Sequence, residues 1–166
     1  MHRARTVAAL ALLTLASVAA PVLAWPSWLS IEYPISPYGD PEMQGALLSV
    51  HVYHHAVGSP AVVCTAEGLV NGRRRSVPLE LIRTSRPDVY LLKQRAPTAG
   101  TWMLVIALQE GAGSAATALV DLGSSGEVVR AQVPTQPGHP WPRSVSGAEV
   151  DSMLRARAQS VRIAGS

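Results

Sequence analysis

From Trp28 to Val133, apolar and polar residues alternate with a period close to two, interrupted at intervals by Gly, Pro, Asn and Ser. That period sends successive side chains to opposite faces of an extended strand. It predicts strands over 28–34, 46–54, 61–70, 73–83, 88–94, 101–109, 116–123 and 127–134. Residues 36–45 form a Pro/Gly-rich connection. Asn71-Gly72 predicts a tight type I′ hairpin between the third and fourth strands. Pro78 has no amide donor, so it demotes part of the return strand to an edge or a bulge. Val77, Leu79 and Leu81 share one face of that strand. Within 101–109, Trp102, Leu104, Ile106 and Leu108 make an apolar row that fits a central strand. Seven or eight short strands at this spacing predict a mainly β fold, an antiparallel, immunoglobulin-like β-sandwich.

The two ends follow other patterns. MHRARTVAALALLTLASVAAPVLA opens with Arg3 and Arg5, continues as an uncharged Ala/Leu/Val run, and closes on Val22-Leu23-Ala24. A basic start, an apolar stretch and a small-x-small ending are the parts of a secretory signal, here a signal helix over 1–24 with cleavage after Ala24. The alternative is an uncleaved membrane anchor, since the run approaches the ~20 residues that span a bilayer. At the other end, PTQPGHPWPR (134–143) cannot hold a sheet, because its prolines lack donors, and is expected to be a linker or an extended wrap over the domain. Ser146-Gly-Ala-Glu149 matches a capping box, and Val150, Met153, Leu154 and Ala158 recur at helical spacing. These predict a short C-terminal helix from about 147 to 159, which either docks on the domain or binds a partner. The expected organisation is a signal peptide (1–24), a sandwich domain (25–134), a Pro-rich linker (135–145) and a helical tail (146–160).

Charge and cysteine content narrow the setting. The whole chain has 14 Lys and Arg against 11 Asp and Glu. Without Arg3 and Arg5, twelve basic residues face eleven acidic ones, so the mature chain is close to neutral. That gives no support to nucleic-acid binding, which needs a concentrated basic face. Arg73-Arg74-Arg75 could touch an anionic lipid surface, but three charges at a turn read more simply as solvated. Cys64 is the only cysteine, so no internal disulfide forms. A lone Cys is buried, metal-bound or an intermolecular partner; the buried reading is the simplest, because free Cys behaves as a small hydrophobe.

Catalytic signatures do not emerge. There is no G-x-S-x-G elbow, no phosphate loop, no H-E-x-x-H and no paired C-x-x-C. Gly123-Ser-Ser-Gly126 reads as a turn. The reading is therefore of a non-enzyme. The alternative chemistry is copper binding, with imidazoles at His51, His54 and His55 and soft ligands at Met43, Met103 and Cys64.

HVYHH (51–55) tests that alternative. Leu48, Val50 and Val52 alternate with Ser49, His51 and Tyr53, so the first set faces the core and the second faces out. His51 and His55 are then roughly 13 Å apart at ~3.3 Å per residue, too far for metal–nitrogen bonds of about 2 Å. A neighbouring strand would have to complete a site. If HAVGSP closes a hairpin, one register sets His51 opposite Cys64, and the next sets Cys64 opposite Val52 in the core. The row Val62, Cys64, Ala66 matches the core register.

Tyr90, Pro97, Gly100, Trp102, Leu104 and Ile106, in DVYLLKQRAPTAGTWMLVIAL, resemble the end of the YtkA-like and FixH-like exported domains. The shared pattern is a Tyr-ended strand, a Pro/Gly turn and a G-x-W strand, and it covers about 20 residues. The resemblance implies an immunoglobulin-like sandwich outside the cytoplasm, in a group that includes copper-handling and oxidase-assembly proteins. The chain departs from copper carriers of the CopC type, because its expected mature N-terminus is Trp25 rather than His.

Together these readings describe an exported, periplasmic or secreted, non-catalytic sandwich. It is an accessory module that binds an envelope or secreted protein. It has no cofactor, or copper in the alternative, and meets a membrane only if the leader is kept as an anchor. The Pro-rich segment and the tail are the expected contact elements, and the expected binding surface is His51, Tyr53, Trp141, Met153 and Leu154. Trp25, Trp28 and Trp141, near the ends of the mature chain, either staple the termini to the sandwich or form an exposed patch.

Overall fold

A computed structural model describes residues 26–36, 38–54, 60–110 and 113–164. The predicted leader, its cleavage point and His55 lie outside the described residues. The strands are β1 (Trp28–Glu32), β2 (Leu48–Tyr53), β3 (Ala61–Val70), β4 (Arg73–Leu79), β5 (Ile82–Arg83), β6 (Val89–Leu92), β7 (Thr101–Glu110), β8 (Gly113–Leu122) and β9 (Val128–Gln132), followed by helix α1 (Gly147–Ala164). One sheet runs β1-β2-β6-β5 and the other β4-β3-β7-β8-β9, with every pairing antiparallel.

The period-two pattern builds the interior. Leu29, Leu48, Val50, Tyr90 and Leu92 from the first sheet meet Cys64, Ala66, Trp102, Leu104 and Ile106 from the second in one buried cluster. The row from Trp102 to Leu108 does lie on a central strand, because β7 sits between β3 and β8. Asn71 and Gly72 have φ of 50° and 75°, the two positive values a type I′ turn requires.

Two pairings differ from the sequence reading. β2 and β3 do not form a hairpin: β2 pairs with β1 and β6, and β3 with β4 and β7, in opposite sheets. The choice between registers therefore does not arise. Cys64 joins the interior because its own row on β3 faces inward, opposite Leu79 and Ile106 within its sheet. The long return strand also splits. β4 ends at Leu79, and Ile82–Arg83 crosses to pair with β6 in the other sheet. Pro78 lies on β4, an edge strand, where a missing donor is tolerated.

The helix adds a third layer. Val150 and Leu154 are buried with Met103 and Leu119 on the outer face of the second sheet, and Val105, Val145 and Met153 pack around them. Burying a Leu side chain as fully as Leu154 contributes roughly 1.5–3 kcal/mol. The capping box is formed: the Glu149 amide donates to Ser146 Oγ at 3.3 Å, and the Ser146 amide donates to Glu149 Oε2 at 2.9 Å. Arg157 fastens the far half, 2.6 Å from Asp121 and 2.9 Å from the Leu122 carbonyl. The helix runs five residues past the expected end, to Ala164. Among the described residues no helix is long and apolar enough to cross a membrane.

A Pro-rich strap joins β9 to the helix. The strap opens into a small hairpin in which Thr135 bridges Pro142, the Gln136 amide donates to the Trp141 carbonyl at 2.8 Å, and the Arg143 amide donates to the Pro134 carbonyl at 3.0 Å. It then returns to β8, where the Thr117 amide donates to the Arg143 carbonyl at 3.1 Å and Thr117 Oγ1 accepts from the Val145 amide at 3.2 Å. Of the two expected forms, a linker or a wrap over the domain, the segment takes the second: it is tied to the sheet it leaves.

Candidate functional site: a groove between two sheet edges

β1 ends the first sheet and β9 ends the second, on the same side of the sandwich. Between them lies an open groove of about 650 Å³, with the Pro-rich hairpin on one flank. Leu29, Ile31, Tyr33, Ala131, Val133 and Trp141 contribute to its wall, and none of its thirteen lining residues is charged. Its volume falls within the ~300–1,000 Å³ common for ligand pockets. Tyr33 clasps the two edges together, its hydroxyl accepting from the Ala131 amide at 3.1 Å.

Aromatic rings stand at the mouth. Trp28 is 44 % exposed and stacks on Tyr53 of the neighbouring strand, with centroids 4.0 Å apart and planes 9° from parallel. Their strands pair Trp28 with Tyr53, which sets both rings on the outer face. Trp141 is 42 % exposed, with His139 tilted against it at 5.7 Å. Large exposed rings around an apolar groove are the composition of protein-contact surfaces.

Among the described residues the histidine motif contributes to no group that could hold a metal ion. His51 faces outward as its strand period requires, with Nε2 3.0 Å from Glu32 Oε2 and 3.1 Å from Ser49 Oγ. Ser49 Oγ is itself 3.1 Å from the same carboxylate oxygen. Glu32 therefore has its carboxyl below the usual range, chiefly through the hydrogen bond from His51, while burial opposes the shift and Ser49 adds to it. Ser, His and Glu side by side invite comparison with a nucleophilic triad. A triad needs serine on one ring nitrogen and the acid on the other. Here one nitrogen meets both partners, and Ser49 is fully buried. The arrangement supports a polar brace between β1 and β2 rather than a proton relay. His54 pairs instead with Asp88, at 3.3 Å.

The other expected copper ligands are dispersed through the layers. Cys64 lies between the sheets, where burial pushes its thiol up to about 12. Met103 is beneath the helix. Met43, in the β1–β2 connection, has Arg86 Nη2 2.8 Å from its sulfur, a cation where a metal would have to be. Among the described residues no group of three or more His, Cys, Asp or Glu could hold a metal ion.

Of the expected binding surface, Tyr53 and Trp141 are exposed and His51 is partly so. Leu154 is buried against the second sheet, and Met153 packs beside it. Arg74 is paired with Glu67 at 2.9 Å and Asp151 at 3.3 Å, which ties the basic turn to the helix. Of the groove lining, Trp141 was in the expected binding surface and Trp28 in the expected terminal patch; the strand residues of its walls were not singled out, because β1 and β9 are about a hundred residues apart along the chain. No family model, curated protein or solved structure matches the chain.

Proposed function

We propose that this chain is an exported, non-catalytic, immunoglobulin-like module that binds an uncharged apolar segment of another envelope or secreted protein. Export rests on the leader pattern of residues 1–24. The immunoglobulin-like reading is supported by strand order. β1-β2-β6-β5 opposite β3-β7-β8 follows the ABED and CFG sheets of that fold, with β4 and β9 as additions. The observation that carries the binding role is the groove between β1 and β9: apolar, uncharged along its lining, and rimmed by Trp28 and Trp141. A charged ligand would lose its water there without gaining a countercharge from the lining.

The test uses two exposed rim residues whose loss leaves the core intact. Trp28→Ser and Trp141→Ser are made in the exported protein, and a photoreactive residue is placed at Val133. The expected result is one defined partner, crosslinked through an apolar stretch at position 133 and lost from both Trp variants. Identical partner sets for wild type and both variants, with melting temperatures unchanged, would overturn the reading.

A further inference from the structure

We infer, building on that reading, that the partner segment enters as an added β-strand along the free edge of β1. Residues 28, 29, 30 and 31 all line the groove. Successive strand residues point to opposite faces, so a cavity that touches four in a row meets the strand from its edge. What it meets there is main chain. Among the described residues β1 pairs with β2 on one side alone, so every second residue turns its N–H and C=O toward the groove. An extended peptide is the ligand that satisfies such a row.

Among the described residues the other three edges are guarded, and this one is open. β4 carries Arg73, Arg74, Arg75 and Pro78. β5 is two residues long. β9 has the outward amide of Ala131 already taken by Tyr33 and carries a charge, Arg130, at its centre. Charges, prolines and short strands are the usual means of blocking unwanted pairing. β1 has Leu29, Ser30 and Ile31 at its centre, with its one charge at the end, on Glu32. The five residues of β1 accommodate about as many partner residues, an extended length of ~17 Å. The partner's alternate side chains point into the apolar space beside Leu29, Ile31 and Val133, so the segment is apolar at every second position and uncharged.

Synthetic capped octapeptides test the mode. One has Val at alternate positions among Ser and Thr. The second has the same composition with its Val residues contiguous. Two more repeat the alternating sequence with N-methyl groups on the odd or on the even amides. Binding up to millimolar peptide is read from Trp fluorescence and from amide exchange at residues 28–32. The alternating peptide is expected to bind and to protect β1 amides. The contiguous peptide, and one of the two N-methylated peptides, are expected to bind at least tenfold more weakly. Equal binding by both N-methylated peptides overturns strand addition and leaves the side-chain groove standing. No response from any peptide at Trp28 or Trp141 overturns both readings. Protection of β1 that rises with protein concentration alone assigns the edge to a second copy of the chain, and overturns the peptide proposal.

Discussion

Cys64 and Gly68 show what single positions on β3 answer to. Burial holds the Cys64 thiol up to about 12, so at neutral pH it stays protonated and shielded. Alkylation by iodoacetamide should be slow in the native protein and complete within the ordinary time of a free thiol in guanidinium. Fast labelling under native conditions would contradict the placement. Gly68 pairs with Trp102, and a Cβ there would come within 2.4 Å of the indole. Trp102 is buried and fixed by its Nε1 donating to the Ala99 carbonyl at 2.8 Å, so it cannot swing aside freely. Gly68→Ala is expected to destabilise by about 1–3 kcal/mol, as overpacking does, measured by urea unfolding. The buried Trp102 was legible from its strand period. The glycine opposite was not, because its partner lies 34 positions away and strand pairing alone brings them together.

At the scale of elements, the helix cap makes a pH prediction. Glu149 is held down to about 2, first by Arg143 at 2.7 Å and then by the Ser146 amide and hydroxyl. A carboxyl whose folded pKa lies below its unfolded value of 4.5 stabilises the fold above that value, and this contribution is lost as pH falls toward 2. Helical ellipticity should therefore decline across that window. Glu149→Gln keeps the capping geometry but has no charge to lose, so its profile should be flatter. A second expectation concerns the dock. Leu154→Ala should cost about 2–5 kcal/mol and speed amide exchange in the helix before it affects β7. If exchange in helix and strand rises together, the helix is part of one cooperative unit. The helix and its cap were readable from Ser146, Glu149 and the apolar spacing. The surface it docks on was not, because Met103 and Leu119 look like ordinary outward residues of their strands until something covers them. The β2–β3 hairpin was misread for a related reason. Both strands have inward apolar rows, and a row does not state which sheet it belongs to.

Among the described residues the molecule is a sandwich with three guarded edges, one edge without a paired strand and a strap that shapes the groove beside it. At this scale the rim variants give the sharpest expectation. Trp28→Ser and Trp141→Ser should weaken partner binding at least tenfold while shifting the melting temperature by no more than a few degrees, since surface substitutions usually stay within ~0.5 kcal/mol. A large drop in melting temperature would mean that the rings staple the termini instead. Deleting the Pro-rich strap and helix together is a poorer experiment, because it also uncovers Met103 and Leu119.

The sequence by itself determined the strands apart from the break of 73–83 into β4 and β5, the hairpin at Asn71-Gly72, the central position of the Trp102 row, the outward face of His51 and the capped helix. Each of these follows from local period or local turn chemistry, which act within a few residues. The tertiary structure alone decided that Cys64, His51 and Met103 belong to three different layers, that β2 and β3 part company, and that β1 and β9 leave a groove between them. Those outcomes depend on which strands share a sheet and which edges lie side by side. That is set by burying all the apolar rows at once, and no single segment encodes it.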